Sequence, residues 1–194
     1  MARTYTLTAG GLISKARVLL NDTDAPTRND DPTMISWLND ALNMALTANP
    51  ALFSLMGAFV CAAGFRQQLE SNRAVAVLDV VGVPQTDSAS LTQFSPGWHA
   101  GSPGTIKHWM RVAQEPLAFE VYPPSAAGQP LTLHYVESPT PLTATADLVP
   151  MTENYEPALI DYLVARASYV DDEHVLSGRA TAFDEKFTQA VRAD

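Results

Sequence analysis

The chain reads as an α+β protein, a helical bundle formed by its N- and C-terminal helices with an antiparallel β-rich region inserted between them. Two observations carry that reading. At both ends of the chain, apolar residues recur three or four positions apart, the spacing that lines one face of a helix. Between about residues 58 and 137 the period drops to two, as it does in strands with one buried face. The expected organisation is therefore a bundle of 1–50 with 151–194. The β-rich insert spans 51–150 and includes a long loop at 84–104 and a Pro- and Thr-rich linker at 138–150. There is no internal repeat.

The elements follow in order. Thr8 is placed to cap a first helix whose stripe is Leu12, Ile13, Ala16, Leu19 and Leu20. An acidic turn, Asn21 to Asp31, leads to a second helix, with Asp31 as its cap and Pro32 as first helical residue, where a missing N–H costs nothing. Met34, Ile35, Leu38, Leu42, Ala45 and Leu46 form its buried stripe, and Asn49-Pro50 ends it. Six strands are expected at 58–63, 66–69, 75–82, 105–113, 117–122 and 131–137, with Val75, Val77 and Asp79 facing opposite to Ala76, Leu78 and Val80. Two helices close the chain. The first carries Leu159, Tyr162, Leu163, Arg166, Ala167, Val170 and His174 on one face. After a Ser177-Gly178 break, where glycine suits the left-handed end of a helix, the second carries Ala180, Phe183, Phe187, Ala190 and Val191.

Composition bounds the function. With 194 residues, 46% of them hydrophobic, the chain can bury an ordinary core. No charged start leads into an apolar run with a cleavage site, and no stretch approaches the ~20 apolar residues that span a bilayer, so neither signal-peptide export nor membrane insertion is expected. The net charge is −9 and uneven: six basic and eight acidic side chains precede residue 98, six and thirteen follow. Tight nucleic-acid binding needs clustered Lys and Arg, which are missing. The one cysteine, Cys61, cannot staple the fold and reads as a small buried strand residue.

Catalytic patterns are absent: there is no Gly-x-Ser-x-Gly elbow, Walker loop, His-Glu-x-x-His or paired Cys-x-x-Cys. His99, His108, His134 and His174 are scattered over different elements. Asp171-Asp172-Glu173-His174 would need metal ligands from elsewhere, because adjacent helical residues diverge. Asp22 to Asp31 lacks the glycine and glutamate of a calcium loop. No catalytic, metal or cofactor site is therefore assigned. The remaining signals are of contact. Trp98 stands in the long loop as either a plug into the core or a subunit contact. Trp109 reads as an interface anchor or, with the larger weight, as packed in the sheet, and Trp37 as either edging the bundle core or facing a neighbouring subunit.

Several collinear segments resemble tailed-phage head–tail adaptor proteins. They are Ala16-Arg17-Val18-Leu19-Leu20, Arg28, Trp37-Leu38-Asn39-Asp40-Ala41 and Asn49-Pro50, then Ala63-Gly64-Phe65-Arg66-Gln67-Gln68-Leu69, Leu78-Asp79-Val80-Val81, Phe119 to Pro124, Leu131 to Tyr135 and the two closing helices. The chain departs from that family at Asn29, where an aromatic is usual, and at Glu70, where a proline is. The resemblance implies a non-enzymatic ring of about twelve copies between portal and tail, extending a DNA channel without binding DNA specifically. It would be assembled in the bacterial host cytoplasm and carried in the virion. The interface candidates are Trp37, Trp98, Arg28, Arg166, Asp171, Asp172, Glu173 and Arg192. The competing expectation is a soluble ligand- or carbohydrate-binding α+β module with its pocket in the β insert.

Overall fold

A computed structural model describes residues 5–24, 28–70, 72–170 and 177–192. The N- and C-terminal helices pack together, and an antiparallel β region is inserted between them in sequence, giving the α+β fold that the apolar periods predict. The chain divides into two compact units, Met1–Leu52 with Pro139–Asp194, and Phe53–Ser138.

In the helical unit, α1 (Ala9–Leu20) starts at the expected cap, where the Thr8 hydroxyl accepts from the Gly11 N–H. Its buried stripe is Ala9, Leu12, Ile13 and Ala16; Leu19, expected inside, is exposed. α2 (Asp31–Ala48) is capped one residue earlier than expected, by Asp30, whose carboxylate accepts from the Thr33 N–H at 2.9 Å. Asp31 is thus already helical. The Thr33 hydroxyl, together with that N–H, holds the Asp30 carboxyl below its ordinary 3.8. α4 (Glu156–Val170) is the central element, touching α1, α2 and α5 (Ser177–Arg192). Ala158, Leu159, Tyr162, Leu163, Val164, Ala165 and Ala167 are all buried, so α4 is apolar nearly all round, as a helix surrounded by others must be. Gly178 lies within the first turn of α5 instead of closing α4, so the Ser177-Gly178 pair opens a helix.

The 139–150 segment is bound to the start of the chain. Ala9 donates to the Asp147 carbonyl, Gly10 to that of Thr145 and Val149 to that of Leu7. A Cβ on Gly10 would sit 3.1 Å from Thr145, which explains a glycine inside a helix. Asn39 of α2 fixes the same segment with two bonds to the Leu142 backbone, at 2.9 and 2.8 Å.

The second unit holds two three-stranded antiparallel sheets. One has the order β1 (Ser54–Val60), β6 (Pro130–Glu137), β3 (Ala74–Val80), and the other β2 (Gly64–Gln68), β5 (Ala118–Ser125), β4 (His108–Arg111). Cys61, Val77, Val80, Ile106, Trp109, Phe119, Val121 and Leu133 form the core, with Phe59 set edge-on to Phe119 at 5.4 Å. All six expected strands exist, with shifted ends. β1 begins at residue 54 where 58 was expected, because its outward side chains Met56 and Val60 are apolar and blur the period. The 84–104 stretch is not bare loop. It contains α3 (Ser88–Phe94), capped by Asp87, and a 3-10 turn at Trp98–Ala100. No described helix is long and apolar enough to cross a membrane.

Candidate functional site

The surfaces able to make contacts are built differently in the two units. In the helical unit, the ends of α2 and α5 and the middle of α4 enclose a groove of about 620 Å³, lined by Asp40, Asn43, Met44, Thr47, Ala48, Tyr162, Arg166, Thr188 and Arg192. Its floor follows from the α4–α5 packing. Tyr162 is buried against Phe187, ring centroids 4.9 Å apart, and burial raises the Tyr162 phenol above its ordinary range although Arg166 opposes this. Met44 is 42% exposed and turned away from the α2 stripe. The rim is polar: Arg166 and Arg192 are exposed, and the Arg166 guanidinium lies 3.7 Å from the Asp40 carboxylate. At that distance and exposure the pair contributes little to stability, so the guanidinium remains available to a partner carboxylate. The groove thus brings together two of the expected interface residues, Arg166 and Arg192.

Other expected residues lie elsewhere. Trp37 is buried on α2, within the bundle core. Arg28 is exposed, yet its backbone N–H donates to the Asp22 carboxylate and its guanidinium to the Leu20 carbonyl, so it folds back over the α1–α2 turn. Asp171, Asp172 and Glu173, with His174, lie outside the described residues.

In the second unit Trp98 is 2% exposed and plugs a small cluster with Leu91 and Met110, against which Phe65 and Tyr122 pack. Gly97, at φ 76°, sets the turn that aims the indole inward, and the indole N–H donates to the Thr92 hydroxyl at 3.3 Å. His99 stacks on it at 3.8 Å. This cluster fixes α3, and α3 presents a residue that sequence reasoning missed: Phe94, the most exposed large hydrophobic among the described residues at 88%. Its only sequence signal is a lone aromatic off the stripe of a Ser- and Gln-containing stretch.

The chemistry of the remaining groups is structural. Cys61 is buried, and burial raises its thiol pKa despite a bond with Ser125, which leaves the sulfur protonated and weakly nucleophilic. Trp109 is fully buried in β4, as its place in the sheet predicted. No group of three His, Cys, Asp or Glu side chains suited to a metal occurs among the described residues.

A family model described as SU10 adaptor protein matches residues 7–194, nearly the whole chain. No curated protein matches it.

Proposed function

The chain belongs to the SU10 adaptor family, the head–tail adaptors of tailed phages, and from that premise we propose how it assembles. The family is structural and non-catalytic, and its members connect head to tail in the virion. On our reading about twelve copies close into a ring under the portal, by a head-to-tail contact whose rotation closes. The ring extends the DNA channel from the portal and offers its far face to the next tail component, after folding in the bacterial host cytoplasm. The single observation behind this is the family match over residues 7–194.

Charge supports the conduit. Each copy carries −9, with thirteen of the twenty-one carboxylates after residue 97, so a ring repels rather than retains a duplex in its lumen. The same repulsion opposes assembly of the free ring, and the portal then acts as a template by holding subunits edge to edge at high effective concentration. Arg28, Arg166, Asp171, Asp172, Glu173 and Arg192 stay the candidate contacts, with Arg166 and Arg192 favoured by their shared groove, whereas Trp37 and Trp98 are buried within their own subunit. Mass photometry across a salt series, with and without portal, tests the templating. Monomers are expected at low salt alone, larger particles as the Debye length shrinks below about 10 Å, and full rings with portal. A stable ring at low salt without portal would remove the template from the account.

A further inference from the structure

We propose that Phe94 of one copy inserts into the α2/α4/α5 groove of the next, forming the head-to-tail contact of the ring; this rests on the ring reading above. The knob comes first. A phenylalanine with 88% of its surface in water forgoes the burial that normally drives aromatic side chains inward. It is not on a loose tip. The Asp87 carboxylate caps α3 through the Ser90 N–H at 2.7 Å, Ser95 closes the helix on the Leu91 carbonyl, and the Trp98 indole is bonded to Thr92, two residues before the knob. The ring is therefore presented by a rigid support, which lowers the ordering cost of binding.

The hole has matching chemistry. Met44, Ala48 and the Tyr162 ring supply apolar surface in a groove whose size, about 620 Å³, falls in the range that accepts an aromatic group. Arg166 and Arg192 on the rim can stack over an aromatic face. Charge agrees as well. Between Pro84 and Gly104 the one formal charge is Asp87, a carboxylate, arriving on a segment otherwise neutral at a rim where two guanidinium groups, Arg166 and Arg192, outnumber the one carboxylate, Asp40. In a chain of net −9 few surfaces meet another copy without repulsion, and this pair does. Knob and hole are different surfaces of one chain, so the contact can run head to tail from copy to copy, the heterologous kind that generates rings when the rotation closes.

The test uses the full chain with p-benzoylphenylalanine in place of Phe94, mixed from isotopically heavy and light preparations. It is irradiated in particles formed at about 0.5 M salt, where exposed charges are screened, or on the portal. The expected result is heavy-to-light cross-links from position 94 to peptides carrying Met44 or Thr188. In parallel, Phe94→Ser should raise the concentration for self-association at least about thirtyfold while leaving the circular dichroism unchanged. Cross-links elsewhere, or Phe94→Ser particles forming as readily as wild type, would overturn this contact and leave the ring standing. A wild-type chain that forms no particle in salt or on portal would remove ring and contact together.

Discussion

Truncating Phe187 to alanine probes the packing on which the helical unit depends. Phe187 is 1% exposed on α5, and its ring meets Tyr162 of α4 at 4.9 Å. Removing a buried phenyl typically costs about 3–5 kcal/mol, from lost transfer energy and the cavity left behind. The aromatic pair adds about 0.5–1.5 kcal/mol to what is lost. Alanine is the better helix former, and this returns only a few tenths of a kcal/mol, so the packing loss decides the sign. For a chain of this size each kcal/mol moves the melting point by about 2–4 °C, so a net loss of about 3–6 kcal/mol gives a drop of about 6–24 °C. The assay is thermal circular dichroism at a helix-sensitive wavelength. Glu185→Ala, at an exposed position on the same helix, should change the midpoint by no more than about 2 °C. Equal shifts for the two variants would mean that α5 does not bury the Phe187 face, and the bundle as described would be wrong.

Removal of residues 151–194 should unfold α1 and α2 as well, since α4 is the element that both pack on; a 1–150 fragment with native helicity and cooperative melting would refute a shared bundle. Asn39→Ala removes both bonds to Leu142 and should cost about 1–3 kcal/mol by chemical denaturation, while Ser36→Ala on the exposed side of α2 should be silent. Asp30, Asp87 and Asp147 are each held below 3.8 by N–H or hydroxyl donors of Thr33, Ser90 and Thr143. Depressed native values mean that these bonds stabilise fully above 3.8 and are lost as pH falls through the lower native values. Acid melting should therefore shift to higher pH in the Asp147→Ala protein. Asp161 has the opposite sign, because burial raises its carboxyl despite Lys186, so its charge costs stability as pH rises past 3.8. Asp161→Asn should raise the melting point at neutral pH and leave it unchanged well below 3.8.

The helices were legible because their apolar stripes are long and their caps are local: Thr8, the Asp30-Asp31-Pro32 start and Asn49-Pro50 mark ends within a residue or so. Strands were legible in number but less so in extent. In β1, Gly57 and the outward Met56 and Val60 interrupt the alternation that would have marked its start at Ser54. α3 escaped notice because seven residues with one buried side chain, Leu91, show no period at all; its stability comes from packing against Trp98, just beyond the helix, and Met110, on a later strand. Contact surfaces were the least legible part. Trp98 carries an interface residue's chemistry, but Gly97 turns it inward, whereas Phe94 four residues earlier is left outside. The groove needed α2, α4 and α5 to be placed together, so only Arg166 and Arg192 of its lining were singled out from sequence.

The account stands most directly on electron microscopy of the protein mixed with its cognate portal. End-on averages should show an adaptor layer with the rotational symmetry of about twelve copies, coaxial with the portal and open along its centre. A portal that stays bare at saturating adaptor, or a bound layer that blocks the axis, would contradict it.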